Sequence, residues 1–117
     1  MNAFGLIKEQ CSTKEIQVAA YIIASYDIVD PDGYQGYVPG VIPLLQKHGA
    51  EILVAEYDAR PLEGEKRNVY VVLRFESEAA ALSWYNDPAY EPVRKIRLGS
   101  CNNGNVVLAK QFVPPST

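Results

Sequence analysis

A chain of 117 residues that is 48% hydrophobic and 21% charged has the composition of one globular domain built round a single core. Its formal net charge of −3 and pI near 5.1 argue against a surface for nucleic acid or anionic membrane. No apolar run reaches the roughly 18 residues that span a bilayer, and two cysteines (Cys11, Cys101) with one histidine are too few for a zinc site.

Residues 1–17 scatter Lys8, Glu9, Lys14 and Glu15 among short apolar pieces and lack the uninterrupted core of a signal peptide. A cytoplasmic setting is therefore expected, with two free thiols favoured over a disulfide. These residues show no clean periodicity and read as an extension before a core domain at 18–113. Residues 114–117, opened by Pro114 and Pro115, read as a tail.

Residues 17–28 alternate as one long strand, with Val18, Ala20, Ile22, Ala24, Tyr26 and Ile28 on one face. The other face carries Ala19, Tyr21, Ile23, Ser25 and Asp27, so both are partly apolar and both call for a cover. Asp30 before Pro31 opens a helix that Pro39 and Pro43 should kink or break, and Gly49 after His48 should cap it. A strand at 51–60, a polar loop at 61–67 and a strongly β-rich run at 68–75 follow. Ser77 can cap a helix bearing Ala81, Leu82, Trp84 and Tyr85, with Glu78 favoured by the dipole of its first turn. Asp87 and Pro88 stop that helix and turn the chain, and Pro92 places the next helical start near Glu91. Gly99 should end it, Asn102-Asn103-Gly104 should turn, and 105–112 should form the last strand.

The order β-α-β-β-α-β predicts an α+β, ferredoxin-like fold: a four-stranded antiparallel sheet with helices on one face. The opposite face keeps apolar side chains, and an exposed apolar sheet is an association surface. A homodimer with its sheets packed face to face is the economical expectation.

Several stretches carry a family resemblance. They are Tyr26-Asp-Ile-Val-Asp-Pro-Asp-Gly-Tyr-Gln-Gly-Tyr-Val38, His48-Gly-Ala-Glu-Ile-Leu-Val54, Leu62-Glu-Gly64 and Trp84-Tyr-Asn-Asp-Pro-Ala-Tyr90, with Arg97 downstream. Over residues 19–110 the chain resembles the domain family of unknown function numbered 1330, a branch of the dimeric α/β-barrel superfamily. It departs from the family pattern in its N-terminal extension, in Pro92, and in Ala50 where a second glycine is common. The resemblance implies the ferredoxin-like fold and a dimer. It brings no established reaction, although superfamily relatives include cofactor-free monooxygenases, isomerases and decarboxylases.

His48 is the one histidine and so the one side chain with an ordinary pKa near neutrality; it is either a catalytic base or a favoured cation in a helix's last turn. Tyr34 and Tyr37 share a helix face and, with Trp84, Tyr85 and Tyr90, would line an aromatic cleft between helices and sheet; singly, each reads as a core-edge residue. Arg94 and Arg97 would offer a fork to a ligand carboxylate, or else a solvated helix end. Arg74, inside an apolar strand, needs Asp27, Glu56 or a ligand anion as partner. Asp27, Asp30 and Asp32 fit capping better than a metal site, and no phosphate loop or catalytic motif occurs. No metal or cofactor is expected. The reading is a cofactor-free enzyme acting on a small aromatic or carboxylated molecule, held by Tyr37, Trp84, Tyr90 and Arg97 with His48 as base. The alternative is a non-catalytic ligand-binding or protein-interaction module.

Overall fold

The computed structural model describes residues 18–115, so the expectations for residues 1–17 and for Cys11 lie outside the described residues. The elements are β1 (Ala20–Ile28), α1 (Pro31–Tyr34), α2 (Tyr37–Lys47), β2 (Glu51–Glu56), β3 (Val69–Phe75), α3 (Glu78–Tyr85), α4 (Tyr90–Ser100) and β4 (Cys101–Lys110). The strands pair antiparallel in the order β2-β3-β1-β4. This is the ferredoxin-like arrangement.

Local chemistry accounts for most element ends. The Asp30 carboxylate accepts from the Gly33 amide at 3.2 Å and Ser77 Oγ from the Ala80 amide at 3.0 Å, so each fills an orphan donor of a first helical turn. Gly49 takes φ +72 after the C-cap His48, a conformation that favours glycine.

Four boundaries differ from expectation. The first helix breaks at Gln35-Gly36, not at its prolines. Pro39 lies in the first turn of α2, where an amide has no intrahelical acceptor, and Pro43 removes one bond without ending the helix. Strand β2 stops at Glu56, because Asp58 turns the chain with its amide on the Glu56 carboxylate. Helix α4 passes Gly99 to Ser100, whose carbonyl accepts from the amides of Val29 and Asp30. Asn102 to Gly104 lie inside β4 as a bulge rather than a turn. Between Ser25↔Asn105 and Asp27↔Asn102, β4 carries one extra residue, and Asn103 takes φ 55 there.

Alternation sorts the sheet into two faces. Toward the helices, Ala20, Ile22, Ala24, Tyr26, Val69, Leu73 and Phe75 are buried against Tyr34, Tyr37, Val41, Leu45, Ala81, Trp84 and Tyr90. Gly40 lets α2 approach α4, since a Cβ there would stand 3.1 Å from a Val93 methyl. On the other face, the register aligns Val54, Val72, Ile23 and Val107 in one apolar row across all four strands. Three of the four are open to solvent, at 41% (Val54), 43% (Ile23) and 47% (Val107) exposure.

Candidate functional site

Between the helices and the sheet lies a cavity of about 680 Å³, counting its open mouth. Aliphatic side chains of β1, β2, β3 and α2 form much of its wall, among them Ile22, Val41, Leu45, Ile52 and Leu73. Six tyrosines (26, 34, 37, 57, 85, 90), Trp84 and Arg97 complete the aromatic and polar part. No Asp, Glu, His or Lys is among the lining residues.

The polar chemistry is therefore a cation among phenols. Arg97 is only 5% exposed, on the inner face of α4. Its guanidinium carbon lies 5.5 Å from the Tyr26 ring centre and 5.8 Å from that of Tyr37, within cation–π range of both. The hydroxyls form two pairs, Tyr37 with Tyr90 and Tyr26 with Tyr34, each at 2.7 Å. Burial is the main reason that Tyr26, Tyr34 and Tyr37 ionise only well above the ordinary tyrosine range, so all three stay neutral hydroxyls. Burial opposes the Arg97 charge, but the Tyr37 and Tyr90 phenols beside it outweigh that, and it stays a cation.

The aromatic cleft expected from sequence thus exists. Tyr34, Tyr37, Trp84, Tyr85 and Tyr90 all line it, with Trp84 stacked 4.5 Å from Tyr90. Trp84 Nε1 is buried without a hydrogen-bond partner among the described residues. Tyr26 and Tyr57 also line the cavity and went unremarked as site residues. The alternation of β1 did place Tyr26 on the inward face, whereas the irregularity between Ile52 and Val54 breaks the alternation of the expected 51–60 strand ahead of Tyr57.

Three expected site residues lie elsewhere. Arg94 caps α3: its Nη1 donates to the Tyr85 carbonyl at 3.1 Å, and its guanidinium carbon sits 4.9 Å from the Tyr85 ring centre. Arg74 projects from the opposite sheet face and pairs at 3.4 Å with Glu51, not with Asp27 or Glu56. Asp27 instead holds Arg67, the Asn68 amide and Asn103, each at 2.8 Å. His48 is not on the cavity wall. Its Nε2 lies 2.8 Å from Asp87 Oδ2 and ties the end of α2 to the α3–α4 turn.

That clamp predicts a pH signature. Asp87 is 8% exposed and accepts from His48, from the Ala89 amide and from Lys47. The His48 bond, then the amide, then Lys47 hold its pKa far below the ordinary 3.8. A carboxylate only accepts, so Nε2 carries the hydrogen. A depressed folded-state pKa contributes stability that is complete above the unfolded value and lost as pH falls toward the folded one. Asp87→Asn should therefore melt several degrees below wild type at neutral pH, with the gap closing below about pH 4. Melting curves that stay parallel across that range would refute the clamp.

Comparison with known proteins places the chain. The model of the family described as "Domain of unknown function (DUF1330)" matches residues 19–112. The chain belongs to this family. No curated protein matches it significantly. Among solved structures it is similar to the RPA0582 protein of unknown function from Rhodopseudomonas palustris, with a TM-score of 0.72, 15% identity, and coverage of 85% of this chain and 86% of that one. It is also similar to SnoaB, a cofactor-independent oxygenase from Streptomyces nogalater, with a TM-score of 0.55, 12% identity, and 87% and 97% coverage. A dimeric ferredoxin-like protein of unknown function from Thermobifida fusca YX is similar at a TM-score of 0.52 and 16% identity, with 80% and 91% coverage. At these identities the likeness concerns the fold alone. Among the described residues no helix is long and apolar enough to cross a membrane, and no cluster of three metal-binding side chains occurs.

Proposed function

We propose that this DUF1330 protein binds a small aromatic or carboxylated organic molecule in the cavity and acts on it without a cofactor. The observation that carries this reading is Arg97, a buried cation with no carboxylate on the surrounding wall. A charge taken out of water needs a compensating charge, and a ligand anion entering the cavity would supply it. Tyr37 and Tyr90 add hydroxyl donors, while Trp84, Tyr34 and Tyr85 offer faces to a flat ligand. SnoaB supports the cofactor-free part by analogy of fold only. One observation favours the second reading, a ligand-binding module without turnover: no side chain suited to be a general base lines the cavity, and His48 is engaged with Asp87.

The homodimer belongs to the same proposal. A second copy laid on the open sheet face would cover the row of Val54, Val72, Ile23 and Val107, and the Thermobifida fusca relative is described as dimeric. So does a cytoplasmic setting, with Cys101 as a free thiol.

A thermal-shift screen against small carboxylates, phenols and quinones tests the reading, repeated on Tyr90→Phe. That change removes one hydroxyl and should weaken a hit about 5- to 10-fold, near 1 kcal/mol, with the fold retained. A panel without hits, or hits indifferent to both Tyr90 and Arg97, would sink it.

A further inference from the structure

The cavity wall is polar at one end and aliphatic at the other. On β1 the inward residues run Tyr26, Ala24, Ile22, which sets the phenol and the isoleucine about 13 Å apart. On α2 the lining residues Tyr37, Val41 and Leu45 repeat that order over about 12 Å. Arg97 joins the two tyrosine ends, since its guanidinium carbon lies within 5.5 Å of the Tyr26 ring centre and 5.8 Å of the Tyr37 one. The far ends meet as well. Leu73 pairs with both Ile22 and Ile52, and the Leu45 carbonyl accepts from the Ala50 amide at 2.9 Å, just before β2 begins.

The donors on this wall outnumber what a single oxygen can accept. Arg97 presents a planar fork, and each hydroxyl pair spends one hydrogen between its oxygens and keeps the other to donate outward. Trp84 Nε1 adds a donor with no partner among the described residues. A carboxylate, with two oxygens and about four acceptor positions, can take the fork and a phenol together. One positive charge and no negative one on the wall balance one carboxylate, not two. A second ligand charge would lie among Ile22, Leu45, Ile52 and Leu73, where nothing compensates it.

Resting on the cavity being a ligand site, we propose that its ligand is an amphipathic monocarboxylate, an acid of the fatty or arylalkanoic class. The carboxylate sits on Arg97 and the tyrosine hydroxyls. The apolar chain runs along β1 and α2 toward Ile22, Leu45 and Leu73. Selection thus comes from both ends: the head must carry one negative charge, and the tail must carry none.

Titration calorimetry of the unaltered protein with butanoate, hexanoate, octanoate and decanoate is the test, and it needs no variant to fold. Affinity should rise about 3- to 4-fold per added methylene until the cavity is filled. Octanamide, which keeps the tail but not the charge, should bind about 10- to 100-fold more weakly than octanoate. Octanedioate, with a carboxylate at each end, should not bind detectably. Two variants locate the ends. Arg97→Met should abolish the preference for acid over amide. Ile52→Ala, at a half-exposed position that spares the fold, should weaken decanoate about 3- to 10-fold and leave butanoate unchanged. Affinity independent of chain length, octanedioate bound as well as octanoate, or equal losses for both acids in Ile52→Ala would overturn the inference. A phenol or quinone held in an Arg97-dependent way while the alkanoates are refused also overturns it, yet leaves the broader cavity reading standing. If none of these probes binds, both fall.

Discussion

Arg97→Met is expected to melt at or slightly above the wild-type temperature while losing every ligand-induced shift. Burying an unpaired cation costs several kcal/mol after relaxation. Against this stand the two cation–π contacts with Tyr26 and Tyr37, each of about 1–2 kcal/mol when desolvated. The terms nearly cancel, and methionine fills the same space with an unbranched apolar chain that adapts to the surrounding rings. Stability should thus stay within about 1–2 kcal/mol of wild type. Ligand affinity should fall about 10- to 100-fold, since a hydrogen bond to a charged group contributes about 1.5–3 kcal/mol. Thermal melts with and without the best hit of the screen measure both quantities. A fall in Tm of more than about 10 °C without ligand would mean that Arg97 holds the fold together rather than serving the cavity.

Ile23→Lys is expected to convert the proposed dimer to a monomer. Ile23 sits between Val72 and Val107 in the apolar row and is 43% exposed in the single chain, so one chain tolerates a lysine there. In a two-fold dimer the same change buries two ammonium groups against apolar side chains. At several kcal/mol for each buried ion, association should weaken at least about 1,000-fold. Light scattering after gel filtration reads the mass, and the concentration dependence of Tm should disappear. The cavity lies on the helix-covered face of the sheet, opposite the row that holds Ile23, so the monomer should keep its ligand shift. A variant that remains dimeric would move the interface off this face.

Residues near in sequence announced most of the fold. Asp30 and Ser77 cap helices in the structure as their side chains suggest, because a capping oxygen needs only an amide three residues on. The alternation in β1 sorted Ala20, Ile22, Ala24 and Tyr26 onto the buried face, because a strand's two-residue period is a property of its own backbone. The misplaced boundaries were settled by contacts distant in sequence. The bulge in β4 is held by Asn103 on Asp27, and the end of α4 by Ser100 on Val29 and Asp30. Asn-Asn-Gly and Gly99 are ordinary stop signals that these contacts overrode.

Local pattern alone settles the element order, the split of the sheet into two apolar faces, and the aromatic set Tyr34, Tyr37, Trp84, Tyr85 and Tyr90. These follow from periodicity and composition, which act over a few residues. Which charges enter the cavity depends instead on how the elements dock. Arg94 and Arg97 stand about 60° apart round the helix and about 4.5 Å apart along it. That small offset sends one to the Tyr85 carbonyl and the other into the core. His48 likewise met Asp87, 39 residues away, because α2 ends beside the α3–α4 turn. Helix rotation and docking are set by the packing of the whole core, and no local pattern encodes them.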